Sequence, residues 1–279
     1  MTRAAVNKII PFSAVDGPGN RTAVFLQECN FDCKFCHNPE TIHTCIHCGV
    51  CVPYCQPGAL TMAEGKVTYN ITKCVLCDEC FHHCPYGASP RTRQMTAGEV
   101  MAEVRKNMPF IRGVTVSGGE CTLWRDFLVE LLTLAKGEGL HTLLDSNGTY
   151  DFSTDRPLMA VTDGIMLDVK AWTGEDHRRV TGADNAMVLR NLRWLAGQGK
   201  LPEVRTVVVP GLFDCEQTVR ETSILLRELG CLDTRYKIIS YRPMGVRQEY
   251  KSLEIPTPEF LTCLAHLAQS YGLTDVVII

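Results

Sequence analysis

The 279-residue chain has no long run of apolar residues and no long run of charges of one sign. No window approaches the roughly 18 uninterrupted apolar residues of a membrane span, and the first residues, MTRAAVNK, lack the apolar stretch of a signal peptide. The 28 basic and 31 acidic residues leave a net charge of -3, so there is no electrostatic footprint for a nucleic acid or an anionic membrane. We therefore expect a cytoplasmic protein that binds neither.

Cysteine, in contrast, is abundant and clustered. Of the 15 cysteines, eleven lie between Cys29 and Cys84, and the other four are scattered through the rest of the chain. The cytosol keeps thiols reduced, so clustered spacing favours metal ligation over a disulfide framework.

Outside the cysteine-rich segment, short apolar runs alternate with amphipathic stretches, which predicts an α/β fold with a parallel sheet. The predicted strands are 22–27, 114–116, 143–144, 165–169, 204–209, 236–240 and 274–279. The predicted helices are 96–107, which begins with a capping box, and 127–136, 187–197, 219–228 and 259–269. Six or seven such units form a partial (β/α)6-type barrel, because a closed eightfold barrel needs more chain. The segment 146–164 has the weakest helical pattern.

The cysteine-rich segment interrupts this scaffold near its start. We predict a barrel of residues 1–40 and 93–279, and an inserted domain of residues 41–92. Within the insertion a C-x2-C-x2-C-x3-C run recurs 29 residues later. The first copy is Cys45, Cys48, Cys51 and Cys55, and the second is Cys74, Cys77, Cys80 and Cys84.

Each run places three thiolates on one tight loop, which suits three corners of a 4Fe-4S cluster. In two-cluster bacterial ferredoxins the fourth ligand comes from the opposite run. By that rule Cys84 completes the cluster of the first run, and Cys55 completes the cluster of the second. Two structural zinc sites are the alternative, since paired C-x2-C motifs also form zinc ribbons. The tandem identity of the runs favours a ferredoxin-like domain whose clusters conduct electrons.

Cys29, Cys33 and Cys36 form a different pattern, C-x3-C-x2-C, without an obvious fourth ligand. The pattern directly follows a predicted strand, so it lies at the carboxyl edge of the sheet, where α/β folds place their sites. A 4Fe-4S cluster held by three thiolates has one iron open to a small molecule. The alternatives are an incomplete zinc site and a third ferredoxin half.

Two motifs resemble a known family. Residues 29–39, CNFDCKFCHNP, resemble the cluster loop of the radical S-adenosylmethionine (SAM) superfamily. Residues 16–21, DGPGNR, resemble the first motif of the glycyl-radical-enzyme activating enzymes, the pyruvate formate-lyase activating enzyme family. Residues 9–13, IIPFS, together with the insertion, most resemble its YjjW-like members.

The resemblance implies an anaerobic oxidoreductase with three 4Fe-4S clusters and SAM. A low-potential donor such as flavodoxin or ferredoxin would supply one electron, and SAM would be cleaved at the catalytic cluster of Cys29, Cys33 and Cys36. The resulting 5'-deoxyadenosyl radical would take hydrogen from a glycine of a transiently bound glycyl-radical enzyme. We expect a monomer, because no heptad or apolar stripe stands out.

The same resemblance gives roles to residues at the strand ends. Taken alone, Gly118-Gly119 is a strand-to-helix turn, Asp145 begins a turn, and Asp168 with Lys170 is a same-face ion pair. The resemblance implies instead that Gly118, Gly119 and Asp145 meet the SAM amino group, Asp168 the ribose and Lys170 the methionyl carboxylate. Glu120 would fix its turn, although the family usually has proline where this chain has Cys121.

Five further residues complete the predicted cofactor site, namely Phe35, His37, Val169, Arg205 and Arg242. An outward Arg205 needs no explanation, whereas an inward one needs an anionic partner, and the resemblance favours the inward position. Arg242 stands where the family usually has histidine near the ribose. Arginine can donate to a hydroxyl but cannot accept from it.

Two other functions use the same residues. A radical SAM enzyme acting on a small molecule would share the whole site, and an electron-transfer iron-sulfur protein would need only the clusters. The set formed by Gly118, Gly119, Asp168 and Lys170 argues against an electron carrier, which has no need of a SAM pocket.

Overall fold

The computed structural model describes residues 2–279. Its thirteen strands are β1 Arg3–Ser13, β2 Arg21–Leu26, β3 His43–Thr44, β4 Leu60–Ala63, β5 Lys66–Tyr69, β6 Ala88–Ser89, β7 Arg93–Thr96, β8 Gly113–Gly118, β9 His141–Ser146, β10 Gly164–Asp168, β11 Glu203–Val208, β12 Arg235–Ser240 and β13 Val276–Ile278. Its α-helices are α1 Glu79–His82, α2 Ala97–Arg105, α3 Arg125–Gly137, α4 Arg156–Val161, α5 Gly174–Thr181, α6 Ala186–Gly197, α7 Cys215–Glu228 and α8 Pro258–Ser270.

Nine strands form one sheet in the order β13-β12-β11-β10-β9-β8-β2-β1-β7. The strands from β2 to β13 along this order run parallel, while β1 is antiparallel to β2 and to β7. Within residues 2–279, β13 and β7 do not pair, so the sheet stays open. The prediction of an α/β partial barrel is confirmed.

Alternation along the strands separates two faces. In β10 the side chains of Ile165 and Leu167 belong to the main core, and Met166 between them does not. The helices supply the rest of that core; in α2 these residues are Val100, Met101 and Val104. The face turned away from the helices is left free to carry polar groups.

The start of α2 follows its sequence signal, whereas α7 begins at Cys215, four residues before the predicted helix 219–228. The predicted capping box is present at α2, where Glu99 N–H donates to Thr96 Oγ1 at 3.2 Å and Thr96 N–H donates to the Glu99 carboxylate at 2.7 Å. The weak pattern of residues 146–164 corresponds to α4, a six-residue helix capped by Asp155. None of the helices in the described residues is long and apolar enough to cross a membrane.

Outside the insertion, three elements of the described chain were not predicted, namely β1, β7 and α5. The sequence of α5, GEDHRRVT, is too polar to display an apolar stripe, yet Thr173 caps its start and Gly182 ends it in the left-handed conformation. Both strands flank the parallel core on one edge, where β1 pairs with β2 and with β7.

The cysteine-rich segment forms small sheets of its own. The antiparallel pair β4–β5 and the short parallel pair β3–β6 make no ladder with the large sheet. A separate buried cluster of Cys51, Leu60, Val67 and Cys80 lies between these elements.

Candidate active site

The loop that leaves β2 brings three free thiols together. Cys29, Cys33 and Cys36 pack against Phe31 and Val188 in one buried cluster. Burial raises the pKa of Cys29 to about 12 and raises those of Cys33 and Cys36 as well. Thiols in such surroundings ionise only beside a cationic centre, which iron provides, so this donor set fits a cluster.

Main-chain hydrogen bonds hold this loop on two sides. The N–H groups of Asp32 and Lys34 donate to the carbonyls of Thr181 and Val180 at 2.9 and 3.0 Å, at the end of α5. Near its start, Cys29 N–H donates to Ile42 O at 3.0 Å. The residues around Cys33 are therefore fixed by a helix that the sequence did not predict.

The two glycines after β8 let that strand approach the beginning of the loop. A Cβ atom at Gly118 would lie 2.1 Å from Leu26 O, and one at Gly119 would lie 2.2 Å from Glu28 O. Gly119 N–H donates to Leu26 O at 3.0 Å and Glu120 N–H to Glu28 O at 2.8 Å. These glycines are thus required by the chain's own backbone, whatever ligand they also meet.

The buried Glu120 carboxylate ties two loops together. Its Oε1 accepts from Thr122 Oγ1 at 2.6 Å and Ser146 Oγ at 2.9 Å, and its Oε2 accepts from Asn147 N–H at 2.7 Å. Burial raises its pKa, and the hydrogen bonds lower it in part. Glu120 therefore fixes both its own turn and the turn after β9.

A chain of buried charges lies on the face of the sheet opposite the helices. Arg205 Nη1 contacts Asp145 Oδ2 at 2.8 Å, and its Nε contacts Glu203 Oε1, which also meets Lys237 Nζ at 2.9 Å. Arg205 is therefore inward and has the anionic partners that this position requires. Burial raises the pKa of Asp145 despite Arg205, which keeps this carboxylate sensitive to any further cation.

Asp168, the last residue of β10, and Lys170, two positions further on, lie on one side of the chain, as the alternation predicts. Lys170 Nζ contacts Asp168 Oδ2 at 2.8 Å and lies 5.9 Å from the centroid of the Phe35 ring. Burial is the largest influence and alone would lower the pKa of Lys170, but the Asp168 carboxylate together with Cys33 and Cys36 raises it. Val169 between them is fully buried in the main core, and its N–H donates to Arg205 O at 2.8 Å.

His37 and Arg242 meet through the main chain. His37 Nε2 lies 3.2 Å from the Arg242 carbonyl oxygen. Its ring stacks with the Tyr241 ring, and the two ring centroids are 6.2 Å apart. Burial and the charge of Arg242 lower the pKa of His37. The Arg242 side chain is exposed, so it is the carbonyl rather than the guanidinium that touches the cysteine loop.

In the insertion, the eight cysteines divide between two cavities. One is lined by Cys45, Cys48, Cys51 and Cys84, and the other by Cys55, Cys74, Cys77 and Cys80. Each cavity thus combines three cysteines of one run with the last cysteine of the other. No three His, Cys, Asp or Glu side chains of the described chain converge as the ligands of a single ion would; cubane thiolates bind different irons and need no common point.

The backbone repeats along with the sequence. His47 and Leu76, which are 29 residues apart, adopt φ values of 59° and 56°. Gly49 and Asp78, also 29 apart, adopt 81° and 63°. Left-handed conformations are unfavourable for leucine, so their recurrence at equivalent places indicates that both loops are shaped for the same purpose.

Two residues near the Cys29 loop escaped the sequence analysis. Asn147 Nδ2 lies 3.9 Å from Cys29 Sγ and 2.9 Å from Asn30 Oδ1; its only signal was the turn-forming pair Asn147-Gly148. Arg247 contacts the carbonyl of Cys33 at 3.2 Å from a loop after β12, where no sequence signal pointed to it.

Comparison with known proteins shows the family of this chain. The model of the radical SAM superfamily matches residues 24–222. The pyruvate formate-lyase-activating enzyme of Streptococcus mutans is 32% identical over 262 residues, covering 91% of this chain and 82% of that enzyme. The isethionate sulfite-lyase activating enzyme of Oleidesulfovibrio alaskensis is 31% identical over 274 residues, covering 88% and 86%.

A solved domain of the pyruvate-formate lyase-activating enzyme from Bacteroides vulgatus has a similar fold. Its TM-score is 0.52 at 21% identity, and the match covers 60% of this chain and 98% of that domain. The open parallel sheet and the three-cysteine loop define a radical SAM enzyme, whose family implies a 4Fe-4S cluster and SAM. Within that class, the chain belongs to the glycyl-radical-enzyme activating enzymes.

Proposed function

We propose that this enzyme cleaves SAM reductively and activates a glycyl-radical enzyme by removing hydrogen from one of its glycines. The observation that carries the proposal is the buried cluster of three free thiols, Cys29, Cys33 and Cys36, at the carboxyl end of β2. When bound, the cluster and SAM supply a 5'-deoxyadenosyl radical that takes the hydrogen atom; the residues around them bind, orient and exclude water.

The charged side chains suit a zwitterionic amino acid. Lys170 is a buried cation and would hold the methionyl carboxylate, and Asp168, 2.8 Å from it, would accept from the ribose. Asp145 would face the SAM amino group, because a buried carboxylate suits a cation. Its Oδ2 already accepts from Arg205 Nη1 and Ser117 Oγ. Gly118 and Gly119 would offer main-chain groups beside it, and Phe35 lies against Lys170.

The remaining predicted contacts have weaker geometric support. His37 and Val169 adjoin the cysteine loop and β11 respectively, which suits a place at the edge of the SAM pocket. Arg205 would act through Asp145, to which it is bonded. Arg242 would reach the ribose only by turning its exposed side chain inward, because its carbonyl is what now meets His37.

The insertion would be a ferredoxin-like domain of residues 41–92 with two further 4Fe-4S clusters, which makes three in the enzyme. The two cavities support this assignment, since each gathers four thiols in the crossed arrangement of two-cluster ferredoxins. Cys48 and Cys77, again 29 residues apart, are exposed. An external low-potential donor, flavodoxin or ferredoxin, would deliver electrons at this surface.

The open sheet supports a transient protein partner. Because β13 and β7 stay unpaired within residues 2–279, an extended glycine loop of a folded partner has a side from which to approach. We infer a monomer that contacts the partner transiently.

Fifteen cysteines, all free, suit a reducing compartment such as the cytoplasm. We assign the enzyme to the YjjW-like subgroup from residues 9–13 together with the insertion.

The test is activation of a glycyl-radical enzyme encoded near this protein. The cluster-loaded enzyme is incubated anaerobically with SAM, a strong one-electron reductant and that partner, and electron paramagnetic resonance (EPR) is recorded on the partner. We expect an organic radical on the partner with the parent enzyme and none with Cys33→Ala. SAM cleavage without a radical on the partner would contradict the proposal and favour a small-molecule substrate.

A further inference from the structure

Arg247 connects the loop after β12 to the residue pair Asp32-Cys33. Its Nη1 contacts Asp32 Oδ1 at 2.7 Å, and its Nη2 donates to the carbonyl of Cys33 at 3.2 Å, with Asp32 O at 3.4 Å. The end of α5 accepts from the N–H groups of Asp32 and Lys34. Arg247 thus holds the carbonyl side of a loop whose N–H side is held by α5.

The loop that carries Arg247 is itself firmly anchored. Tyr241 is fully buried and its hydroxyl donates to Tyr250 O at 2.7 Å, while Val246 is buried in the main core. The Tyr250 ring lies 4.9 Å from the Arg247 guanidinium carbon. The packing of this loop and the Tyr250 ring therefore place the guanidinium against the Cys33 carbonyl.

The ion pair of Arg247 and Asp32 is asymmetric. The Arg247 side chain is 19% exposed, whereas that of Asp32 is 57% exposed. The second acidic neighbour, Glu249, lies 3.8 Å from Arg247 Nε and is 58% exposed. Water screens the two carboxylates more than the guanidinium, so the pair presents a net positive potential toward Cys33.

We propose that the positive charge of Arg247 raises the reduction potential of the cluster held by Cys29, Cys33 and Cys36. The inference rests on the proposed role of these cysteines. A low-potential donor gives one electron, no bond forms and no proton moves, and the added negative charge is stabilised by the guanidinium beside Cys33. Net charge and hydrogen bonding near the ligands are the factors through which proteins set such potentials.

The test compares variants of the two partners in one ion pair. The potential of the cluster whose reduced EPR signal changes on SAM addition is measured by redox titration of the cluster-loaded, full-length protein. We expect Arg247→Gln to shift the reduction equilibrium about tenfold toward the oxidised form, or about 59 mV for one electron. Asp32→Asn should shift it the opposite way, because the guanidinium then loses its counter-charge, and Arg247→Lys should stay near the parent.

The opposite signs distinguish electrostatics from loop damage. Loss of a purely structural ion pair would disturb the loop in the same direction in Arg247→Gln and Asp32→Asn, and that result, or no shift in either, would overturn the proposal. Arg247 shares a cavity with Cys84, so the internal reference is the signal of the cluster assigned to Cys55, Cys74, Cys77 and Cys80, whose cavity Arg247 does not line and whose potential should stay unchanged. A parent protein without a SAM-responsive signal would overturn the cysteine assignment, and the inference with it, before any variant is compared.

Discussion

The rings of Tyr54 and His83 stack with their centroids 3.6 Å apart. The two residues are separated by 29 positions, the shift that also relates the two cysteine runs. Equivalent residues of two halves touch only close to the axis that relates those halves. Each directly precedes the last cysteine of its run, Cys55 or Cys84, so the stack lies beside the two cysteines that are proposed to ligate the cluster of the opposite run.

Crossed ligation makes a prediction about pairs of cysteine variants. Cys84→Ser and Cys48→Ser remove ligands from the same cavity. Each single variant should lose about four iron atoms per chain, and the double variant should lose no more than that. Cys84→Ser with Cys77→Ser removes ligands from both cavities and should lose twice as much. Iron analysis of the reconstituted protein measures both; Cys263→Ser, an exposed cysteine on α8, is the control. Reversal of the two results would contradict crossed sharing.

Lys170 should determine affinity for SAM. Lys170→Met removes the buried cation proposed to hold the methionyl carboxylate, and a hydrogen bond to a charged group contributes about 1.5–3 kcal/mol, or about 10- to 150-fold in affinity. Calorimetric titration of the cluster-loaded protein with SAM gives the dissociation constant. Lys106→Met, at the exposed residue just after α2, should leave the dissociation constant unchanged. Equal affinities in the Lys170 variant and the parent would remove Lys170 from the site.

The approach of β8 to the cysteine loop predicts strong sensitivity at Gly119. The Cβ atom in Gly119→Ala would meet Glu28 O at 2.2 Å, and overpacking of this kind costs about 1–3 kcal/mol. We expect a lower free energy of unfolding in urea and poorer iron loading at the Cys29 loop. Gly98→Ala in α2, whose Cβ atom would meet nothing within 4 Å, should be neutral or stabilising. Normal stability and iron loading in Gly119→Ala would contradict this packing.

The Asp155 carboxylate should account for part of the stability that the protein loses in acid. Hydrogen bonds from Arg125 and Tyr150 hold its pKa below the usual value of about 3.9. A carboxyl group whose pKa is lower in the folded than in the unfolded protein stabilises the fold at pH values above its unfolded-state pKa. That stabilisation is lost as the pH falls through the folded-state pKa. Asp155→Asn should lose about 1–3 kcal/mol at neutral pH and approach the parent below about pH 4.

The control for Asp155 is its neighbour at the same arginine. Asp126 also contacts Arg125, but its side chain is 72% exposed, so Asp126→Asn should change the free energy of unfolding little at any pH. Urea unfolding at several pH values measures both variants. If the free energies of unfolding of Asp155→Asn and the parent differ by the same amount down to pH 2, the charge of the Asp155 carboxylate is not the cause of the difference.

The sequence predicts those parts of the fold and site that depend on local pattern. Each predicted strand of the parallel sheet is present, because buried parallel strands are nearly continuous apolar runs. The motifs at Gly118, Asp145 and Asp168 lie at strand ends for the same reason. The division of the cysteines between two cavities also follows from spacing together with a known rule of ferredoxin ligation.

What the sequence does not predict depends on contacts between distant segments. The polar helix α5 shows no apolar periodicity. Two carbonyl groups at its end accept hydrogen bonds from the loop around Cys33 and hold that loop in place. Arg247 is 214 positions from Cys33 in the chain, and the fold brings its guanidinium to the Cys33 carbonyl. The motif at Gly118 and Gly119 predicts a ligand contact, but it does not predict how closely the backbone of residues 26–28 approaches these two positions.

The most direct test of the central claim is formation of 5'-deoxyadenosine from SAM. The anaerobically reconstituted protein is treated with a strong one-electron reductant, beside Cys33→Ser and beside Cys263→Ser as a cysteine control. We expect product from the parent and from the Cys263 variant and none from the Cys33 variant. No product from a parent preparation shown by iron analysis and EPR to carry its clusters would contradict SAM cleavage at Cys29, Cys33 and Cys36.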